Sequence, residues 1–234
     1  MITSIFKKSS IVNYALVFLL LLASFFVYQN SLLSQSVTGI GNSANALLII
    51  LLLVCFFLVN FIVKKNGLTK NSSYAIFFFL LYLMLFPSVF SHSNLLFANF
   101  FLLLAMRRLI SLQTLKAPKE KIFDASMWIF IASLFHFWCI LFVLLVYISI
   151  IFHVSRDYRN WLLPFVAFVT TTVVFLVAAL LIDKSWIDHI VLQAQMHLEW
   201  NYFTNNFQNA ALSFYVVVAL YFLLSMVFTL TNRP

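Results

Sequence analysis

Apolar runs of helix length, separated by short polar breaks, fill this chain. The runs cover residues 11–28, 46–63, 74–86, 95–112, 122–152, 161–182 and 211–230. A helix of 18 residues is about 27 Å long, close to the roughly 30 Å of a bilayer's hydrocarbon core. A β-barrel would alternate polar and apolar residues in strands of about ten. Residues 46–63 are apolar almost without interruption, so the pattern predicts helices. The stretch 122–152 is too long for one crossing, because a single helix of that length would measure about 46 Å. Two short helices, 122–136 and 138–152, joined near His136-Phe137-Trp138, fit better. The resulting fold class is all-α: one polytopic transmembrane bundle over residues 1–234, with about eight spans. Pro87 is expected to end the third span.

The polar breaks add detail. Residues 29–45 carry Ser, Gln, Asn and two Gly but no charge, and are expected to be a loop. Residues 113–121 are expected to be a basic loop broken at Pro118. Within 183–210, the residues Ile187, Ile190, Val191, Ala194 and Leu198 make one apolar helical stripe bracketed by Trp186 and Trp200. That is the pattern of a helix lying flat at a membrane interface. The first run follows Lys7 and Lys8 but is longer than a signal-peptide core and lacks a small-x-small cleavage site, so it is expected to be retained. The chain stops at Pro234 just after its last span, and a continuation beyond it is expected.

Composition supports a membrane class: 64% of residues are hydrophobic and 9% charged, against about 25% charged in soluble domains. Only 3 glycines are present, which argues against small-residue packing as the main link between helices. Cys55 and Cys139 lie in apolar runs and read as core residues. Charge sets a direction. With eight spans and both ends cytoplasmic, 13 of the 14 Lys and Arg fall on the inner side and only Lys184 falls outside. This is the bias of the positive-inside rule, and it also favours splitting 122–152. Cysteines placed at Ser36 and Ser185 should then be labelled from outside, and one at Ser72 should not.

The densest cationic patch is Arg107, Arg108, Lys116, Lys119 and Lys121. Its simplest role is orientation and attraction to anionic lipid headgroups. The alternative is a seat for a specific headgroup or an acidic protein partner. Asp124 is the natural ion-pair partner beside it. The cations are spread over short loops between spans, which excludes nucleic-acid binding. At the outer face, His92 and His136 share one depth and could bind or shuttle protons, while interfacial histidines are more often satisfied structural groups. Asp188 and Glu199, with His189 and His197, could form an acid/base cluster; the flat-helix reading needs none of them. Histidines eight residues apart lack the i, i+4 geometry of a helical metal site, so no metal is expected. No phosphate-binding glycine loop, zinc motif or nucleophile elbow occurs, and no cofactor is implied. Asn60 and Asn99 lie inside spans, where each needs a partner, most simply on a neighbouring helix.

The opening MITSIFKKSS with IVNY, and the block SNLLFANFFLLLAMRRLISLQTLK with KEKIFDAS, ASLFHF and RDYRNW, resemble a multi-pass inner-membrane family of Bacteroidota. That resemblance implies location in the inner membrane and no particular activity. The segment Ala132-Ser133-Leu134-Phe135-His136 is also similar to turns in membrane polysaccharide polymerases of the Wzy and EpsG kind, and more distantly in GT-C glycosyltransferases. Those proteins act on polyprenol-linked sugars at the outer face. The departures are specific: residues 29–45 contain no acid where GT-C enzymes have one, and no arginine lies on the outer side. Two readings stand. One is a non-enzymatic subunit or scaffold of a cell-envelope assembly, with the bilayer and membrane proteins as partners. The other is a handler of lipid-linked saccharides.

Overall fold

The computed structural model describes residue 6 and residues 10–34, 42–69, 72–154, 157–194 and 206–231. Among the described residues the fold is entirely helical. Its α-helices are α1 (Ile11–Ser34), α2 (Asn42–Lys65), α3 (Tyr74–Leu85), α4 (Ser93–Ser111), α5 (Pro118–Phe135), α6 (Val143–His153), α7 (Arg159–Leu181), α8 (Ser185–Ala194) and α9 (Asn206–Thr231). Three 3-10 turns, Pro87–Ser91, Leu112–Thr114 and Phe137–Phe142, lie between them.

Two packed groups share α4. In the first, α1, α2 and α3 enclose Val17, Leu21, Phe25, Leu52, Phe56 and Leu80, with Phe90 closing one end. In the second, α4, α5 and α6 enclose Ala105, Leu112, Ile122, Ala125, Ile129 and Val146. Helix α5 is the most enclosed, lying between α4 and α7. Small residues are buried on all three helices: Ala98 and Ala105 on α4, Ala125, Ser126 and Ala132 on α5, and Ala167, Thr171 and Ala179 on α7. Between α4 and α5, Ala105 and Ala125 pack with the larger Leu109, Ile122 and Ile129. The buried hydroxyls bond within their own helices, Ser126 to the Ile122 carbonyl and Thr171 to the Ala167 carbonyl, both at 2.8 Å.

Four helices are long and apolar enough to cross a membrane, namely those at Ile11–Asn30, Asn45–Lys65, Ser93–Thr114 and Arg159–Leu181. This is a multi-pass membrane protein. The apolar faces left exposed on α7 and α9 are what such a protein presents to lipid. Among the described residues α9 makes only slight contact with the rest, its Tyr215 ring 6.3 Å from that of Tyr82.

Several boundaries differ from the expected ones. α1 continues through residues 29–34, which were expected to be loop. Gln29 is buried there, and its Nε2 donates to the Phe90 carbonyl at 3.3 Å, so its polarity serves a tertiary contact. α5 starts at Pro118, placing Lys119, Glu120 and Lys121 on a helix. Proline suits the first helical turn because its missing N–H would have no partner there. Pro87 does end α3, and the break at His136 is observed. The last bond of α5 runs from the His136 N–H to Ala132, and the Cys139 N–H then bonds the His136 carbonyl at 3.0 Å to open a 3-10 turn. α8 matches the first part of the predicted flat helix; residues 195–205, including His197 and Glu199, lie outside the described residues.

Candidate functional site

Antiparallel connection of α4 and α5 gathers charge at one pole of the bundle. Arg107 and Arg108 end α4, and Lys119 and Lys121 begin α5. Arg108 pairs with Asp124 at 2.9 Å, the partner expected for this patch, with both side chains partly exposed. Such a pair is worth about 0.2–1 kcal/mol. Lys119 reaches across to Asp157, before α7, at 3.1 Å. Asp157 also accepts from the Arg159 N–H at 3.1 Å. That backbone bond, reinforced by Lys119, holds its carboxyl below the ordinary aspartate range. Lys121 donates to the Ser111 carbonyl at 2.7 Å and to Thr114 Oγ1 at 2.8 Å, closing the C-terminal end of α4. Lys116 is exposed at the hairpin tip, between Leu115 and Ala117. Both of these neighbours have left-handed backbone, at φ 54° and 46°.

The end of α2 joins this pole. Lys65 Nζ lies 5.3 Å from the centre of the Phe61 ring, and the Arg107 guanidinium lies 5.0 Å from the same centre. Lys64 sits 4.5 Å from the Tyr14 ring at the start of α1. The patch read from residues 107–121 is thus divided: three of its cations are held by groups of the chain itself, while Arg107 rests on an aromatic face.

The opposite pole holds His92 and His136. His92 precedes α4 and is exposed, and His136 follows α5 and is half-buried. The Phe97 and Phe135 rings, 5.2 Å apart, fix these two helix ends beside each other. A cleft of about 390 Å³ opens here between α3, α4 and the turn after α5. Its walls include Phe79, Tyr82 and Leu102, and Asn99, His136 and Cys139 also line it. Asn99 lies beside the Cys55 side chain of α2, across the helix pair. α8 packs on the 3-10 turn Phe137–Phe142 and so borders the same pole. Asp188 is exposed on it and does not line the cleft. Asp183, just before it, accepts from the Ser185 N–H at 2.9 Å, which lowers its carboxyl below the ordinary aspartate range. His197 and Glu199, the other members of the candidate cluster with Asp188 and His189, lie outside the described residues. No group of three or more His, Cys, Asp or Glu with metal-binding geometry occurs among the described residues.

No family model, curated protein or solved structure matches the chain. What the site can do rests on its own chemistry: a pole of cations of which two, Arg108 and Lys119, are paired with acids, and an aromatic cleft with a single half-buried imidazole. Two features escaped the sequence reading. Phe61 was one phenylalanine of 29, and nothing in the linear pattern marked it as the ring that two cations share. Gln29 was read as loop because its tertiary acceptor lies 61 residues away.

Proposed function

We propose that this protein is a non-enzymatic subunit or scaffold of a cell-envelope assembly in a bacterial inner membrane, crossing it about eight times with both ends in the cytoplasm. The observation that carries this reading is the division of charge between the poles. Every cation near the α4–α5 hairpin tip gathers at one end, and Lys184 lies at the other end of α7 from Arg159. A pole of that kind sits at cytoplasmic headgroups, because basic loops resist translocation. The short segments support eight crossings. α3 with its 3-10 turn Pro87–Ser91, and α6 with Phe137–Phe142 before it, each reach at most about 28 Å, near the hydrocarbon thickness. Among the described residues that line the cleft at the opposite pole there is no Arg or Glu, and the one titratable nitrogen base is His136.

A second reading, the handling of a lipid-linked saccharide, is favoured by the opening of His136 into an aromatic cleft beside Asn99. Native mass spectrometry of the full chain released from lipid nanodiscs separates the two. A stoichiometric protein subunit is expected; a retained polyprenol lipid with no protein subunit would replace the first reading by the second, as would loss of an envelope glycan in His136→Ala. Orientation is checked by impermeant maleimide on whole cells. Ser185→Cys should be labelled and Ser72→Cys should react only after permeabilisation, against a background in which Cys55 and Cys139 are buried. The reverse pattern would overturn the orientation.

A further inference from the structure

We propose that Lys65 and Arg107, set around the ring of Phe61, form a binding site for the phosphate of an anionic phospholipid headgroup. The site rests on the reading that the basic pole lies at headgroup level, and it specifies which of the pole's cations meet lipid. The two cationic centres are no more than about 10 Å apart, since each lies close to one ring centre. Two of the three acids described at this pole are engaged elsewhere, Asp124 with Arg108 and Asp157 with Lys119, and the third, Glu120, is exposed on the first turn of α5 and makes no ion pair among the described residues. Neither Lys65 nor Arg107 meets a carboxylate among the described residues.

Both side chains also keep their donors. A phenylalanine ring takes up no conventional hydrogen bond, so the contact with Phe61 leaves the five N–H donors of Arg107 for other partners. Lys65 ends α2, where a lysine often caps the last carbonyls. Here that task is already done. Asn66 Nδ2 bonds the Ile62 carbonyl at 2.8 Å, and the N–H groups of Gly67 and Leu68 bond Lys64 and Val63 at 3.3 and 3.1 Å. What remains is a pair of uncommitted cations beside a Phe61 ring that is 43% exposed. Phosphate oxygens suit the cations, and glycerol and acyl carbons suit the ring edge. A soluble anion would match only the first half of that surface, so the lipid is the better occupant.

The test uses the full chain in nanodiscs of phosphatidylcholine with increasing phosphatidylglycerol, counting retained anionic lipid by native mass spectrometry. The double variant Lys65→Gln/Arg107→Gln should lose about tenfold or more in apparent affinity for phosphatidylglycerol. A charge-matched control, Lys119→Gln/Lys121→Gln, removes two cations already held by Asp157 and by Ser111 and Thr114, and should stay within about twofold of the parent. Phe61→Leu keeps the apolar bulk and removes the ring, and should weaken retention by an intermediate factor; this variant leaves all charges in place and guards against misfolding of the double variant. Equal losses in the double variant and its control would overturn the site in favour of diffuse attraction. Displacement of the lipid by millimolar inorganic phosphate would overturn it in favour of a soluble anion. If labelling places the basic pole outside the cell, the underlying orientation fails first and separately.

Discussion

Ile129 sits at the centre of α5, 1% exposed, packed with Ile122, Ala125 and Val146. Ile129→Ala removes three carbons from this contact. In a water-soluble protein such a change costs about 2–5 kcal/mol, of which about 2.4 kcal/mol is the transfer of three carbons from water to the interior. On the proposed eight-span topology α5 crosses the membrane, and that transfer term disappears, because the unfolded helix rests in lipid as apolar as the core. Only lost packing remains, so the expected cost is about 2 kcal/mol or less. The assay is reversible unfolding in mixed micelles, read by steric trapping at tags on α4 and α7, comparing parent, Ile129→Ala and Ile129→Val. Ile129→Val should cost under about 1 kcal/mol by the same reasoning. A loss above about 4 kcal/mol for Ile129→Ala would refute the argument. It would mean that α5 leaves lipid for water on unfolding, and that the bundle is held together by the hydrophobic effect rather than by close contact.

Two further outcomes follow from the basic pole. Ala117 has left-handed backbone at φ 46°, a conformation that costs an L-residue about 1–2 kcal/mol; Ala117→Gly should therefore raise stability by roughly 0.5–1 kcal/mol after the added chain entropy is subtracted, and a lower thermal midpoint would count against strain at this turn. Asp157 has a folded-state pKa below its ordinary value, first through the Arg159 N–H and then through Lys119, so its stabilising effect is present above the unfolded aspartate pKa and is lost as pH falls through the lower folded one. Asp157→Asn should flatten the acid limb of a stability-versus-pH curve, and an unchanged limb would show that the contact between Lys119 and Asp157 has no part in it.

The alternation of apolar runs and polar breaks was enough to locate the helices. Pro87 marked the end of α3, the excess length of residues 122–152 called for a break, and Asp124 was the natural partner for the basic patch at the end of α4. These are local facts: a run must match the bilayer, proline cannot continue a helix, and a charge next to its opposite in sequence tends to meet it in space. What the linear pattern could not reveal was which face of each helix touches which neighbour. In a soluble protein polar residues mark the outward face, but here lipid is as apolar as the core and both faces read alike. Hence the alanine contacts of α5, the Gln29–Phe90 bond and the two cations around Phe61 appeared only with the tertiary structure. The chain has no proline or glycine at His136, and helical bonding nevertheless stops there. At that break Phe135 is stacked on Phe97 and Phe101, while Trp138 just beyond it is exposed, contacts that only the tertiary structure shows.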